Sequence, residues 1–309
     1  MKKPSFRAYA DLAMRDGTMV GLRPVIEKEL LHYDILHALS EEGILKGLCF
    51  QGGTALRLCH GGVRYSEDLD FSGGPGFSRE RAGDIAGAVE RRIGQRYGLP
   101  VTVMPPKETR HAGSDPVRVS TWSIRIETEP ERRNMPTQRI RIDIDTTRSH
   151  TREEMLPRLN YDFLPAGYGE LLIPVQSRTE IMSGKVISLA TSMAGTRQRP
   201  RHRDIWDLRW LGRANISPDI GMVRAKAEEH GIGALVALLE EAISNLPAVV
   251  LSEHFSAEMS RFLPATVRRS TIQDPAWLDA LTRSVVETIQ ATLDRLVRPG
   301  GSGGTDFAY

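Results

Sequence analysis

Residues 51–74 read QGGTALRLCHGGVRYSEDLDFSGG, and their pattern points to both the fold and a candidate site. It holds a glycine pair, a threonine and a short segment of helical character, followed by an acidic run with two aspartates two positions apart. Together with the apolar residues 48–50, it predicts a strand, a tight turn, a short helix and a second strand over residues 68–72. Such a unit brings two carboxylates close to the start of a helix.

Asp68 and Asp70 lie on the same face of the predicted second strand, because successive side chains alternate between the two faces of a sheet. Two neighbouring carboxylates repel each other unless a cation lies between them. Mg²⁺ binds one or two carboxylates together with phosphate oxygens, so the pair predicts a site for Mg²⁺ or Mn²⁺. The alternative is a solvated strand end whose aspartates pair with nearby arginines.

Gly52, Gly53 and Thr54 supply what a phosphate next to that metal would need. Glycines allow backbone N–H groups to approach a phosphate closely, and the helix that follows presents its positive end. The two parts of the stretch therefore predict a phosphate site beside a metal site.

A third carboxylate is available on a later strand, QRIRIDIDT, which starts at residue 138. Its isoleucines alternate with charged residues, so Asp143 and Asp145 lie on the polar face together with two arginines. Either aspartate would complete a two-metal site. Asp143 is the one we predict, with Asp145 and a purely structural Arg–Asp pairing as alternatives.

The rest of the pattern predicts an α+β protein with a mixed sheet. Helices are expected over residues 24–42 and from Ser78 to Tyr97, and further strands start near residues 101, 117 and 170. From Ser177 to about Val297 the pattern is helical, with breaks near Pro200, Pro218, Gly231 and Pro264. We thus expect a core over residues 1–175, a helical lobe over residues 176–297 and a flexible tail over residues 298–309.

Composition indicates the cellular compartment in which the protein is expected. The formal net charge is +2, and only seven of the 41 basic residues are lysines. Two cysteines, Cys49 and Cys59, are too few for a disulfide framework, which favours a reducing compartment. No signal peptide is expected after Met1, and no apolar run reaches the ~18 residues that a membrane span needs. The sequence therefore favours a cytoplasmic protein.

The segment GGTALRLCHGGVRYSEDLDF resembles the first motif of the AbiEii/AbiGii family of nucleotidyltransferase toxins, in which a glycine pair precedes an Asp-x-Asp. Besides the glycines and aspartates, Arg64 and Ser66 also match that motif. Two later segments, EIMSGKVISLA and RPRHRDIWDLRWL, are similar to the lysine helix and the Arg-Asp-x-x-Asp helix of the family. The matching residues are Lys185, Arg203, Asp204 and Asp207.

The resemblance implies a polymerase-β-like core that transfers a nucleoside monophosphate from an NTP and releases pyrophosphate. Asp68, Asp70 and Asp143 would bind the metals, and Lys185 would bind the triphosphate. The glycines, with Thr54, Arg64 and Ser66, would contact the nucleotide, and Asp204 or Asp207 would position the acceptor or act as base. The family further implies an RNA acceptor, expected to be the tRNA 3′ end, a block of translation, and a separate antitoxin protein.

Two features of the later segments remain open to a simpler interpretation. Lys185 is the only lysine between Lys107 and Lys226, and its compact ammonium suits a triphosphate, but a solvated helix lysine fits the pattern too. Asp204 and Asp207 would share a helix face, which an ordinary surface stripe also explains. The basic run Arg197, Arg199, Arg201 and Arg203 is either an RNA-backbone patch or a solvated loop.

Two other functions are compatible with the sequence. A nucleotide- or RNA-binding regulator with a degenerate site would bind without transfer, although the intact Asp-x-Asp argues against it. A metal-dependent phosphodiesterase would use the same carboxylates to release nucleotides from RNA instead of adding them.

Overall fold

The computed structural model describes residues 5–107, 116–131, 137–195 and 199–298. The helices are α1 Phe6–Ala13, α2 Arg23–Glu41, α3 Gly52–Leu58, α4 Ile85–Tyr97, α5 Arg178–Ser192, α6 His202–Arg213, α7 Ile220–Glu229, α8 Leu235–Val250, α9 Glu253–Ser260, α10 Ala265–Arg269 and α11 Pro275–Val297. The strands are β1 Cys49–Gln51, β2 Leu69–Ser72, β3 Val101–Met104, β4 Val119–Ile126, β5 Gln138–Asp145, β6 Glu153–Met155 and β7 Ile173–Val175.

The seven strands form one mixed sheet in the order β3-β4-β5-β2-β1-β7-β6. β2 pairs with β5 and β1 pairs with β7 in parallel, whereas the other neighbours are antiparallel. In the described residues every strand precedes residue 176, and helices dominate from Arg178 to Val297. The predicted α+β class, a mixed sheet followed by helices, is confirmed.

The register of the three central strands fixes what the polar face presents. Asp70 of β2 is paired with Gln51 of β1 on one side and with Asp143 of β5 on the other. Paired positions project from the same face of a sheet, so these three polar side chains stand side by side. The alternating apolar residues of β5 are fully buried on the opposite face, where α2 contacts this strand.

The predicted helix from Ser78 to Tyr97 is wrong in its first half. A short 3₁₀ turn covers Arg79–Ala82, after which Gly83 adopts a left-handed φ of +66°. α4 then begins anew, and the Asp84 side chain caps it by accepting a hydrogen bond from the Gly87 N–H at 2.8 Å. The glycine interrupts the helix and the aspartate restarts it, because a left-handed residue cannot continue a right-handed helix.

Other elements depart from the prediction in smaller ways. α1 and β6 were not predicted, and a 3₁₀ turn over Ala166–Glu170 replaces the first residue of the strand expected from residue 170. The breaks at Pro200, Pro218, Gly231 and Pro264 separate consecutive helices as predicted. The predicted tail, apart from Arg298, lies outside the described residues.

Two expectations from composition can be compared with the structure. Cys49 and Cys59 are both free and buried. In the described part of the chain, no single helix is long and apolar enough to cross a membrane, although the bent pair α8 and α9 reaches that length and composition when taken together.

Candidate active site

A cleft of about 710 Å³ lies over the polar face of the central strands and is closed by residues of α5, α6 and α7. Side chains that are far apart in the sequence line this cleft together. The predicted site residues that line it are Gly52, Gly53, Arg64, Ser66, Asp68, Asp70, Asp143, Lys185 and Asp204. Thr54 and Asp207 do not line it and lie behind its walls.

The glycine pair forms the first turn of α3, directly against the second strand. Gly52 has a left-handed φ of +77°, and a Cβ atom there would lie 2.6 Å from Oδ2 of Asp70. A Cβ atom on Gly53 would collide with the Arg64 guanidinium and lie 3.0 Å from Oγ of Ser66. The glycines are therefore needed for close approach of the helix start to the acidic residues.

We expect Gly52→Ala to destabilise the protein by about 1–3 kcal/mol, because the alanine would be strained at positive φ and would displace the Asp70 carboxylate. Gly94 is a matched control inside α4, where a Cβ atom meets nothing within 4 Å. Gly94→Ala should stabilise by about 0.5–1 kcal/mol, because alanine suits a helix interior better than glycine. Urea denaturation of the two variants measures both effects, and equal stabilities would contradict the strain at Gly52.

Thr54 occupies a different place from the predicted nucleotide contact. Its side chain is buried, and its hydroxyl donates a hydrogen bond to the backbone carbonyl of Asp68. It ties the start of α3 to the residue just before β2. The structure therefore corrects the prediction for Thr54, which supports the acidic strand from behind and does not face the cleft.

The Asp70 carboxylate lies in an unfavourable electrostatic setting. Burial, followed by the negative charges of Asp143 and Asp68, raises the pKa of Asp70 to about 6. A carboxylate held this way gains most from a cation placed between it and its neighbours. The donor set has the chemistry that Mg²⁺ or Mn²⁺ prefers.

Asp68 already has a cation beside it. The Arg141 backbone N–H donates to Asp68 Oδ1 at 3.0 Å, and the Arg141 guanidinium donates to Oδ2 at 2.7 Å. Burial opposes ionisation, but these hydrogen bonds and the Arg141 charge lower the pKa of Asp68. The Arg141 Nε atom also lies 3.9 Å from Asp143 Oδ2, so one exposed arginine faces two of the three predicted metal ligands.

This pairing affects how the carboxylates fit a metal. Within the ranges that the structure describes, no three His, Cys, Asp or Glu side chains are arranged together as ready metal ligands. The chemistry of Asp68, Asp70 and Asp143 fits a divalent cation, but the Asp68 carboxylate is turned to Arg141. The alternative interpretation, in which these aspartates pair with nearby arginines, is thus realised at Asp68 by Arg141, which lies two residues before Asp143 on the same face.

Asp143 and Asp145 have different surroundings, which bears on the choice between them. Asp143 is the register partner of Asp70 and accepts a hydrogen bond from the Thr121 hydroxyl at 2.6 Å. Asp145 accepts hydrogen bonds from the Gln51 amide at 2.6 Å and from the backbone N–H of Thr147 at 3.0 Å. Asp143 therefore remains our candidate third ligand, and Asp145 is already occupied in holding Gln51.

A buried ionic cluster lies across the cleft from the carboxylates. Arg64 donates to both oxygens of Asp207, at 2.6 and 2.5 Å, and the Lys185 Nζ atom lies 2.5 Å from Asp204 and 2.8 Å from Asp207. All four side chains are less than 10 % exposed. The solvated lysine and the ordinary surface stripe considered above are therefore excluded.

The cluster determines the protonation of Asp207. Burial opposes its ionisation, but the charges of Arg64 and Lys185 lower the pKa of Asp207. Both of its oxygens are engaged, so it is poorly suited to accept a proton from a substrate. Its position fits a role in fixing Lys185 and Arg64.

The predicted basic run is partly neutralised by acids. Arg201 pairs with Asp204 at 3.0 Å, and Arg203 lies 3.6 Å from Glu258 and 5.0 Å from the centre of the Phe262 ring. Arg197 lies outside the described residues. Within the described part of this run, Arg201 and Arg203 thus act in part as counter-ions, which weakens its interpretation as an RNA patch.

The pKa of Asp70 leads to a prediction for the metal-free protein. Its folded-state pKa of about 6 lies above the ordinary 3.8. Between these two pH values the folded state keeps a proton on Asp70 that the unfolded state has lost. Stability should therefore fall as pH rises from about 4 to about 6, by on the order of 2 kcal/mol from this group. Asp70→Asn should lack this component.

The measurement is urea denaturation in the presence of a chelator at several pH values between 4 and 7. The informative quantity is the difference in free energy of unfolding between wild type and Asp70→Asn at each pH. A difference that stays constant over this range would show that Asp70 titrates normally.

Comparison with known proteins agrees with the geometry. The family model for the nucleotidyl transferase AbiEii toxin of type IV toxin–antitoxin systems matches residues 34–283, which is most of the chain. No curated protein matches significantly. Among solved structures, JHP933 from Helicobacter pylori is similar at 17% identity and a TM-score of 0.48, over 88% of this chain and 93% of that one.

A second similar structure is MenT4, the nucleotidyltransferase toxin Rv2826c from Mycobacterium tuberculosis H37Rv. Its identity is 18% and its TM-score 0.47, over 95% of this chain and 99% of that one. The family assignment rests on the family model, whose match contains the glycine pair, the three candidate acids and the Lys185 cluster. This chain belongs to the AbiEii family of nucleotidyltransferase toxins of type IV toxin–antitoxin systems.

Proposed function

We propose that the protein transfers a nucleoside monophosphate from an NTP to an RNA acceptor, with Mg²⁺ or Mn²⁺ as cofactor and pyrophosphate as the other product. The acceptor we favour is the 3′ end of tRNA, whose modification would block translation. Membership of the AbiEii family supports the transferase chemistry and implies a separate antitoxin partner. In this proposal, residues 1–175 form the catalytic core and residues 176–297 complete the cleft.

One observation carries the proposal. The Asp70 carboxylate stands between the register partner Asp143 and the glycine-opened start of α3, and Lys185 lines the same cleft from α5. A nucleotidyl transfer needs carboxylates that bind the metal, backbone N–H groups that can approach the phosphates closely, and a fixed cation that stabilises the leaving pyrophosphate. Residues suited to each of these tasks line the same cleft, which supports the proposal.

Each residue has a role that follows from its surroundings. Asp68, Asp70 and Asp143 would bind the metal, which when bound supplies positive charge to the phosphate oxygens. The first turn of α3, with Gly52 and Gly53, offers backbone N–H groups to the phosphates. Ser66, which lies against Gly53, is placed to donate its hydroxyl there.

The ionic cluster supplies the fixed positive charge. Lys185 and Arg64 are held in place by the carboxylates of Asp204 and Asp207, so little reorganisation is needed when charge develops on the leaving group. We therefore assign positioning roles to Asp204 and Asp207 and leave the base open. This differs from the role that the family resemblance implied for them.

The test is incubation of purified protein with total cellular RNA, Mg²⁺ and each radiolabelled NTP in turn, followed by gel separation of the RNA. We expect label in RNA of tRNA size, dependent on the metal. Label in RNA of other sizes only would refute the tRNA acceptor but support the transferase. Shortened RNA without label would indicate a phosphodiesterase, and binding without either change would indicate a regulator.

Expression of the wild-type chain without its antitoxin should slow bacterial growth, because a modified tRNA pool limits translation. Asp70→Ala expressed to the same level serves as the control and should leave growth unaffected. The measurement is growth rate and amino-acid incorporation after induction in several hosts. Growth inhibition of equal size by both chains would show that the toxicity does not come from transfer.

A further inference from the structure

A second cavity, of about 390 Å³, lies on the far side of α6 from the cleft. Its walls come from α6, α10 and the start of α11, with Val63 from the loop after α3. We call it the tryptophan pocket because Trp206, Trp210 and Trp277 all line it. These are three of the four tryptophans in the chain.

The indoles form a stacking surface that is already assembled. The rings of Trp206 and Trp277 lie 5.2 Å apart with an interplanar angle of 35°. The Arg209 guanidinium lies over the Trp277 ring, 5.0 Å from its centre. Trp206 is almost fully buried, whereas Trp210 and Trp277 are partly exposed at the surface of the pocket.

The cations beside the tryptophan pocket lack acidic partners. In the described residues, no carboxylate lies within ion-pair distance of Arg209, Arg213 or Arg283, in contrast to Arg201 and Arg203 at the cleft. Burial, then the charges of Arg213 and Arg283, lower the pKa of Arg209. Arg213 and Arg283 are exposed, so this side of α6 and α11 presents positive charge next to the pocket.

Arg209 also has an unused donor. Its Nη1 donates to the Ala280 carbonyl at 2.5 Å, but its Nε is buried and has no hydrogen-bond partner. A buried donor without a partner is costly, and such groups in native proteins call for an explanation. An anionic ligand at the tryptophan pocket would supply a counter-charge to these arginines.

The tryptophan pocket and the cleft share structural elements. α6 carries Asp204 and Asp207 toward the cleft cluster and carries Trp206 and Trp210 into the tryptophan pocket. The loop after α3 likewise sends Arg64 to the cleft and Val63 to the tryptophan pocket. The two sites are separated by roughly one helix diameter, about 10 Å.

We propose that the tryptophan pocket binds one unpaired nucleotide of a single-stranded RNA segment, with the base stacked on the indoles and the phosphate on the Arg209, Arg213 and Arg283 charges. Aromatic faces next to unpaired arginines are the features by which proteins hold single-stranded nucleic acid. An apolar peptide would leave the arginines unneutralised, and a bare anion would not use the tryptophans. The inference rests on the proposed function in taking RNA to be the acceptor, and it adds a second contact outside the cleft.

The test uses the full-length protein without NTP or metal, so it is independent of transfer. The probe is a single-stranded RNA of eight nucleotides, compared with the same sugar–phosphate chain lacking bases and with a free nucleoside monophosphate. We expect the RNA to quench tryptophan fluorescence and to bind on the order of tenfold more tightly than the abasic chain, because stacking depends on the base. The monophosphate carries the same base and phosphate as one nucleotide of the RNA, so it should also quench tryptophan fluorescence, at higher concentration.

Two variants locate the binding. Arg213→Gln with Arg283→Gln removes two exposed charges and should flatten the dependence of log K on log salt by about one unit. Arg269→Gln, on the neighbouring helix α10, is the control and should bind like wild type, because Arg269 neither lines the pocket nor is among the charges that lower the pKa of Arg209. Trp277→Leu should weaken RNA binding about tenfold and leave abasic binding unchanged.

Several results would overturn the inference: equal binding of RNA and abasic chain, no quenching by the free monophosphate, or an Arg213/Arg283 variant that matches the Arg269 control. If Trp277→Leu does not fold, the comparison of RNA with abasic chain on wild type still decides. Should transfer activity exist, the arginine variant should raise KM for RNA with kcat unchanged. If RNA quenches the fluorescence in a base-dependent way but no transfer is detected, the proposed function is rejected and the nucleotide-binding pocket is retained.

Discussion

Replacing Asp70 with alanine should reduce nucleotidyl transfer by a factor on the order of 10³ or more, to background, while the protein stays folded. Asp70 stands between Asp143 and the start of α3, so its loss removes the central ligand of the proposed metal site. Metal binding supplies several kcal/mol of transition-state stabilisation, and each ~1.4 kcal/mol corresponds to a factor of ten in rate.

Stability separates this loss of chemistry from misfolding. Burial and the two neighbouring carboxylates raise the pKa of Asp70 to about 6, so its charge opposes folding near neutral pH. Asp70→Ala should therefore be as stable as wild type or more stable in chelator. Transfer per folded molecule, measured with labelled NTP, is the decisive quantity, and wild-type activity in this variant would rule out the metal site.

A matched pair tests the third ligand. Asp143→Asn should lower transfer nearly as far as Asp70→Ala, because Asp143 is the register partner of Asp70. Asp145→Asn should have a much smaller effect, since Asp145 is occupied by Gln51 and Thr147. The opposite ranking would exchange the roles of the two aspartates.

Lys185→Ala should lower transfer by on the order of 10² or more, comparable to the loss of one preorganised charge-stabilising group. Lys185 lines the cleft with Asp70, although 115 positions separate them in the chain. Its ammonium would neutralise charge that grows on pyrophosphate as the bond breaks. Lys185→Arg should restore only part of the activity, because a planar guanidinium does not replace a compact ammonium at a fixed point.

The same substitution should also destabilise the fold, and the experiment has to allow for this. Lys185 contacts Asp204 and Asp207 at 2.5 and 2.8 Å, so its removal leaves buried carboxylates with less compensation, at a cost of about 3–5 kcal/mol. Lys185→Met combined with Asp204→Asn removes one charge of each sign from the cluster. This double variant should regain most of the stability but not the transfer activity.

RNA binding without NTP should be nearly unchanged in all the Lys185 variants, which separates substrate positioning from acceptor binding. Recovery of transfer together with stability in the double variant would show that Lys185 has a structural role only. In that case Arg64, the other cation of the cluster, becomes the candidate for stabilising charge on the leaving pyrophosphate. Arg64→Lys is then the variant to measure.

Much of the fold is encoded in short-range patterns. The alternation of isoleucine with charged residues defines β5, and glycine and proline mark the breaks between the C-terminal helices. The glycine pair before the Asp-x-Asp locates α3 and β2 correctly. The restart of α4 at Asp84 was missed because a left-handed glycine and a capping aspartate outweighed a continuous helical pattern.

For the candidate site, too, one part could be predicted from the sequence and another part could not. The residue types that chemistry requires, paired carboxylates, glycines and a single lysine, could be read from the sequence together with the family resemblance. Their pairing could not: the parallel register of β2 with β5 sets Asp143 beside Asp70, and Arg141 takes the Asp68 carboxylate. Side-chain period along a strand is a local property, but register depends on which strands pair and at what offset.

Local sequence patterns therefore predict most of the elements in their order, α1 and β6 excepted, and the set of groups capable of chemistry. Only the tertiary structure decided that Thr54 faces inward, that Lys185 and Arg64 are fixed by Asp204 and Asp207, and that three tryptophans meet beside unpaired arginines. The physical reason is that burial and ion pairing arise from contacts between segments far apart in the chain. Local spacing specifies the faces of each helix and strand, and long-range packing specifies what each face meets.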